Sequence, residues 1–381
     1  MAKRTPNQRD SKITPAMRQY LEIKEELGDA IVFFRMGDFY EMFFEDAVTA
    51  SKVLGIALTS RDRAKEIPMC GFPYHASTAY IKKLILEGYK VAVCEQVEET
   101  GEGRGSGSGK NLVRREVARV ITPGTVLDDE LLEPGNNNFI TAVNASEGLY
   151  GLSYMDLSTG EFLVTEFTDV NELVDELIRL RPLEALAADG SQQLVTGPGL
   201  SIKKISTRPC KDFSLSLNIK RLTEHFGTAG LHGFGCEGLK AGAGAAGALL
   251  SYIKETQRSE CPHIRKLTPY KTANYMAIDS STQRNLELLE NNRTGTRSGS
   301  LLEVLDETYT SMGARLLQSR MVRPLKDSHE IKRRQNAVHE LFSKKTLRDT
   351  LRDLLKGVSD LQRLSARVSM GSASPRDLVS L

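Results

Sequence analysis

Phe39 and Glu41 stand two residues apart in a stretch, Ile31 to Phe44, that holds five of the chain's thirteen Phe. In an extended chain, side chains i and i+2 project from one face, so a flat apolar ring lies beside a carboxylate while Tyr40 points the other way. A buried unpaired charge is costly, so a plain core strand would not place Glu next to Phe. The pair offers stacking by the ring and hydrogen bonding by the carboxylate. The alternative is that Phe39 is packed core and Glu41 its wet rim.

Other reactive patterns are weaker. The six His show no His-Glu-x-x-His spacing. The five cysteines (Cys70, Cys94, Cys210, Cys236, Cys261) are odd in number and lack a Cys-x-x-Cys pair, which argues against a disulfide framework or a zinc knuckle and for a reduced compartment. Two Gly-x-Gly-x-x-Gly matches, at 233–238 and 242–247, do not follow a strand inside a strand–helix–strand unit. The second runs straight into a helical segment, where small residues permit close packing. Gly109-Lys110 is followed by Asn111 rather than Ser or Thr, so it is no phosphate loop.

The elements that position the pair follow from punctuation. Thr14-Pro15 caps a helix that runs to Leu27 and ends at Gly28. Gly37-Asp38 turns one aromatic strand into the next. A helix from about Glu45 to Leu54 closes at Gly55, a short strand follows near 57–60, and a helix from Ser77 to Glu87 leads into a strand at 90–97. This alternation predicts a small mixed α/β domain. Residues 1–12 are expected to fray, and the Gly-rich run 100–111 to form an exposed loop between two strands.

Asp128 to Asn137, with Pro134-Gly135, reads as a polar joint between domains. Three strands follow at 139–144, 149–155 and 161–167, then a helix from Val170 to Leu180 that stops before Pro182. From His263 onward the pattern is almost entirely helical, with Asp327 capping a helix that includes Ile331 to Phe342. The expected domains are therefore 1–125, 126–262 and 263–381.

The balance of 51 basic against 49 acidic residues hides an uneven distribution. Residues 1–125 carry +2, 126–262 carry −8 and 263–381 carry +8. Only the outer segments are suited to lie close to phosphate. No run of about 18 apolar residues exists and the N-terminus lacks an apolar signal segment, so a cytoplasmic protein without a membrane partner is expected.

Several motifs, in this order, resemble the MutS family of DNA mismatch-repair proteins. They are Gly37-Asp38-Phe39-Tyr40-Glu41, Ile67 to His75, Val93-Cys94-Glu95-Gln96-Val97 and Arg119 to Gly124. Tyr150 to Phe162 is similar to the family's connector domain, and Ile278 to Glu287 and Thr310 to Leu325 are similar to its core domain. The resemblance implies a mixed α/β mismatch-recognition domain, a ribonuclease-H-like α/β connector, and the beginning of all-α core and lever helices.

It also implies that Phe39 is a wedge at a mispaired or unpaired base and that Glu41 contacts the base. Met69 is a further DNA-binding candidate, and basic residues near Arg61, Lys82 and Lys83 are suited to sequence-independent phosphate contacts. His75, which closes the Gly-x-Pro-x-His segment, either approaches DNA or serves packing or capping. Mismatched double-stranded DNA is the implied ligand, in a nucleoid-associated cytoplasmic setting. A MutL-type partner, homodimerisation, ATP and magnesium belong to full-length members. No Gly-x-x-x-x-Gly-Lys-Ser/Thr occurs in these 381 residues. The chain therefore reads as an N-terminal portion without catalytic residues, cofactor or metal of its own.

Two rivals remain at this level. One is a metal-dependent nuclease in the ribonuclease-H-like domain, where Asp156 is the tempting carboxylate but reads as a surface or turn residue without partners. The other is a MutS-like scaffold for recombination structures, against which Phe39-x-Glu41 argues.

Overall fold

The computed structural model describes residues 14–61, 67–97 and 113–381. The expectations for residues 1–12 and for the Gly-rich run 100–111 lie outside them. Contacts divide the chain into two compact units. One runs to Pro123 and includes Thr256–Arg258; the other comprises Gly124–Glu255 and Ser259–Leu381.

In the first unit, helix α1 (Pro15–Leu27) starts where the Thr14 side chain accepts from the Met17 amide, with Pro15 at its first position. Strands β1 (Ile31–Met36) and β2 (Phe39–Phe43) form a hairpin around Gly37, whose φ of 60° suits glycine. Helix α2 (Phe44–Leu54) closes on Gly55. Strands β3 (Thr59–Ser60) and β4 (Pro68–Pro73) follow, then α3 (Ser77–Leu86), β5 (Val91–Val97) and β6 (Arg114–Ile121). The six strands lie in the order β3-β4-β2-β1-β5-β6.

Strand alternation sorts the aromatic residues onto two faces. Met17, Tyr20 and Ile23 of α1 pack with Val32, Phe34 and Phe43 on one. On the other, Phe72 meets Phe33 edge-on at 5.0 Å and stacks on Tyr80 of α3 at 4.2 Å. Buried Asp46 ties α1, β1 and α2 together, accepting from the Tyr20 hydroxyl (2.6 Å), the Val32 amide (3.0 Å) and the Lys24 ammonium (2.7 Å).

The second unit is built on β7 (Phe139–Ser146), β8 (Leu149–Asp156) and β9 (Glu161–Phe167), an antiparallel meander. After α4 (Val170–Leu180), strands β10 (Glu184–Ala188) and β11 (Lys204–Arg208) extend the sheet parallel to β7. The order is β11-β10-β7-β8-β9-β12, with β12 spanning Thr268–Pro269. The arrangement of β7 to β11 is that of the ribonuclease-H-like topology.

Leu173 and Leu177 of α4 fill one face of this sheet. Helices α5 (Leu215–Phe226) and α6 (Lys240–Gln257) fill the other. A Cβ on Gly151 of β8 would lie 2.1 Å from the Ala241 carbonyl carbon, and one on Gly247 2.4 Å from the Asn218 side chain. Small residues in and opposite α6 are thus a condition of its close approach.

Asp156 is fully buried, not at the surface. It accepts from the Asn138 amide (3.0 Å) and from the Ser158 amide and hydroxyl (3.0 and 2.6 Å), holding the turn after β8. Burial pushes its carboxyl above the usual range although these bonds and Arg363 oppose the rise. Among the described residues, no three His, Cys, Asp or Glu side chains are grouped so that they could hold a metal ion.

The almost entirely helical reading from His263 onward fails for residues 263–300. Ile264 and Leu267 are buried in the core beside α6, β12 pairs with β9, and only α7 (Ser280–Asn285) is helical for more than one turn. Gly295 and Gly299, with φ of 64° and 84°, help keep the following stretch in turns. Regular helices begin with α8 (Leu301–Leu305) and continue as α9 (Ser311–Val322), α10 (Ser328–Ser343), α11 (Lys345–Leu355), α12 (Leu361–Ser369) and α13 (Pro375–Ser380). Asp327 caps α10 through its side chain. Among the described residues no helix is long and apolar enough to cross a membrane.

The polar joint at 128–137 is clasped. Arg363 of α12 donates to the carbonyls of Glu133 (3.1 Å) and Asn136 (2.7 Å). Arg315 and Gln318 of α9 donate to those of Pro134 (3.0 Å) and Gly135 (2.9 Å). Asp360 pairs with Arg315 at 2.6 Å.

Candidate nucleic-acid interface

The tip of the β1–β2 hairpin leaves one aromatic ring uncovered. Phe33, Phe34 and Phe43 are essentially inaccessible, whereas Phe39 is 46% exposed. Phe39 pairs with Met36 across the hairpin and with Pro73 of β4. It shares its sheet face with Glu41 and Phe43, while Tyr40 and Met42 are buried on the opposite one.

Glu41 sits between Phe34 of β1 and Gly71 of β4. A Cβ on Gly71 would lie 2.9 Å from the Tyr40 carbonyl oxygen and 3.4 Å from Glu41 Cγ, so glycine there leaves room for the carboxylate. The carboxylate is not free: Arg61 Nη1 donates to Glu41 Oε2 at 2.7 Å. The Arg61 guanidinium lies 5.3 Å from the Phe43 ring. Its backbone amide bonds the Ile67 carbonyl (3.1 Å), and Met69 pairs with Phe43, which places Arg61 and Met69 beside the same strand.

Arg115 of β6 completes this surface and was not foreseen. Its guanidinium lies 5.0 Å over Phe34, and its Nε donates to the Arg35 carbonyl at 2.6 Å. Burial and the neighbouring Arg61 charge lower its affinity for a proton, and Glu41 acts against that. Phe39, Glu41, Arg61, Met69 and Arg115 thus occupy one region of one face. The sequence signal for Arg115 was alternation along β6, which carries it to the same face as Val117.

His75 is exposed in the turn after β4 and meets Tyr74 edge-on at 5.9 Å. It stands at the Phe39 end of the sheet, two residues beyond Pro73, which pairs with Phe39. Lys82 and Lys83 are not brought to this face, because α3 packs on the Phe72 side of the sheet.

The turn carrying Phe39 is held on three sides. Arg35 Nε donates to the Gly37 carbonyl (2.5 Å), and the Tyr74 amide donates to the Asp38 carbonyl (2.9 Å). The Arg35 guanidinium carbon lies over the Tyr74 ring, 3.6 Å from its centroid. The Tyr40 hydroxyl donates to Glu95, and burial followed by that bond pushes the phenol well above its ordinary range.

Comparison with known proteins gives consistent matches along the chain. Family models described as MutS domain I, MutS domain II and MutS domain III match residues 14–130, 138–265 and 281–381. The chain is 45% identical over 374 residues to the DNA mismatch repair protein MutS of Desulfosudis oleivorans. It is 44% identical over 383 residues to that of Symbiobacterium thermophilum and 44% over 375 to that of Myxococcus xanthus. Each alignment covers 97% of this chain but 42%, 43% and 41% of the respective relative.

Proposed function

Because the chain belongs to the MutS family, three of whose domain models match it in succession, we propose that it recognises mispaired or unpaired bases in double-stranded DNA for mismatch repair. Phe39 enters the stack at the lesion and Glu41 hydrogen-bonds the displaced base. The observation that carries this reading is the exposure of Phe39 beside a carboxylate, at the tip of a hairpin whose other rings are buried.

The energetics favour lesions. Unstacking a base step costs a few kcal/mol. Stacking a base on an aromatic side chain returns about 1–3 kcal/mol. The two nearly cancel on paired DNA, whereas a mismatch is already poorly stacked and easily kinked. Arg61 and Arg115 supply phosphate contacts, which position the protein without reading sequence. Met69 borders the Phe43 end of β2 and His75 its Phe39 end. A MutL-type partner and a second copy of the chain belong to the same proposal, as does ATP-dependent action in the longer relatives.

No observation favours a nuclease, since Asp156 is enclosed and committed to its turn. The test is a fluorescence-anisotropy titration of the 381-residue chain on a paired duplex and on the same duplex with one mismatch. Tighter binding to the mismatch is expected; equal binding to both overturns the reading.

A further inference from the structure

We infer that Arg61 is a specificity-determining residue: Glu41 holds it in the DNA-free chain and releases it to a phosphate only when the carboxylate turns to a displaced base. This rests on the function proposed above. The Glu41–Arg61 pair is formed at 2.7 Å, and its side chains retain 21% and 30% of their exposure. It is therefore solvent-accessible and cheap to exchange.

Arg61 is tethered where it stands, by the hydrogen bond its backbone amide donates to the Ile67 carbonyl and by its guanidinium beside Phe43. Only the end of the side chain is free to change partner. Arg115 is more committed, with Nε on the Arg35 carbonyl and Nη1 on the Val113 carbonyl (2.8 Å). Two guanidinium groups thus stand near one carboxylate, for a local charge of +1. Turning Glu41 toward a base raises the charge facing the backbone by one.

The consequence is that a single side-chain movement reads the lesion twice. On paired DNA no displaced base accepts Glu41, so it stays on Arg61 and one phosphate contact is withheld. On a mismatch, Glu41 gains a base and Arg61 gains a phosphate. Removing Glu41 should therefore tighten binding to paired DNA by freeing Arg61, rather than by abolishing repulsion between carboxylate and phosphate. The two causes differ in whether the gain needs Arg61.

The experiment is a double-mutant cycle with Glu41→Ala, Arg61→Met and the double variant. Binding of the 381-residue chain to labelled paired and singly mismatched duplexes is measured over a salt series, with a melting curve for each protein. Glu41→Ala is expected to bind paired DNA about twofold to fivefold tighter, and to bring no gain once Arg61→Met is present. The wild-type slope of log affinity against log salt is expected to be steeper on the mismatch by about 0.9, one phosphate contact, and Arg61→Met should equalise the slopes.

A Glu41→Ala gain that persists without Arg61, or equal wild-type slopes on the two duplexes, overturns the exchange while leaving mismatch recognition intact. A wild-type chain with no mismatch preference overturns the proposed function, and this inference with it. Should Arg61→Met lower the melting temperature, Arg61→Gln keeps a polar side chain and the cycle is repeated with it.

Discussion

The Arg35 guanidinium lies 3.6 Å from the Tyr74 ring centroid while its Nε holds the Gly37 carbonyl, so one side chain joins the hairpin turn to the end of β4. Preorganisation of this kind lowers the ordering cost of binding. Lysine at this position keeps the charge but loses the planar group over the ring and the forked donors. Arg35→Lys is expected to cost about 1–2 kcal/mol of stability and to reduce the ratio of mismatched to paired affinity. Tyr74→Phe, which keeps the ring, should preserve the ratio. Melting curves beside the anisotropy titration check both; an unchanged ratio in Arg35→Lys would show that the turn needs no such brace.

Phe39 and Phe43 lie on one strand and one face, yet their roles separate by exposure. Phe39→Ala should change stability by less than about 0.5 kcal/mol and weaken mismatch binding by roughly tenfold to a hundredfold. Binding to paired duplex should change little, since phosphate contacts dominate there. Phe43→Ala, in the core, should cost about 3–5 kcal/mol and harm all binding alike. A mismatch preference that survives Phe39→Ala would refute the wedge.

Glu176 of α4 is buried among Arg179, Arg323 and Tyr270, at 2.6, 2.7 and 2.7 Å. Burial pushes its carboxyl up, but the bond and charge of Arg179 and the charge of Arg323 outweigh this and hold it below the usual range. A lowered folded value means stability fully present above the ordinary glutamate value of about 4.5 and lost as the pH falls through the folded one. Melting of the chain across acid pH should show this loss. Glu176→Gln should lessen the slope while lowering stability at neutral pH, because two arginines are left with less compensation. A variant with the wild-type slope would assign the acid sensitivity elsewhere.

Helices α10 and α11 have no buried residue, and Val338, Phe342 and Leu354 are 68%, 77% and 66% exposed. Their amides are expected to exchange hydrogen much faster than those of β1, β2 and β5, because few apolar contacts oppose local opening. Hydrogen exchange read by mass spectrometry on peptides from 328–355 and 31–43 decides it. Comparable protection would mean that these helices are stable without further cover.

Turn chemistry made much of the fold legible. Thr14-Pro15, Gly37 and Gly55 mark where elements of the first unit begin, turn or end. Alternation alone sets Phe39 and Glu41 on one face opposite Tyr40, but it leaves open whether Phe39 is packed core, since buried Phe43 shares that face; only the family resemblance pointed to a base-contacting pair. Strand β4 was hidden by Pro68, Gly71 and Pro73, which punctuate a run whose last five residues nevertheless pair with β2. Alternation within β6 sets Arg115 on the face of Val117, but its place beside Phe34 depends on β6 returning beside β5, a long-range pairing no local pattern encodes. The same holds for Asp156, whose burial is completed by residues at 138 and 363.

The clasp around 133–136 carries a last consequence, for how this stretch tolerates change. Arg315, Gln318 and Arg363 hold four successive carbonyls there, and a carbonyl is the same whichever residue bears it. Point substitutions that keep the backbone path leave every one of those bonds in place. Inserting or deleting a single residue shifts the carbonyls past donors fixed on two helices and puts them out of step together. Apart from Gly135, where a Cβ would lie 3.3 Å from Ala314 Cβ, the segment is thus permissive in spelling and strict in length, the reverse of what its Pro-Gly composition suggests.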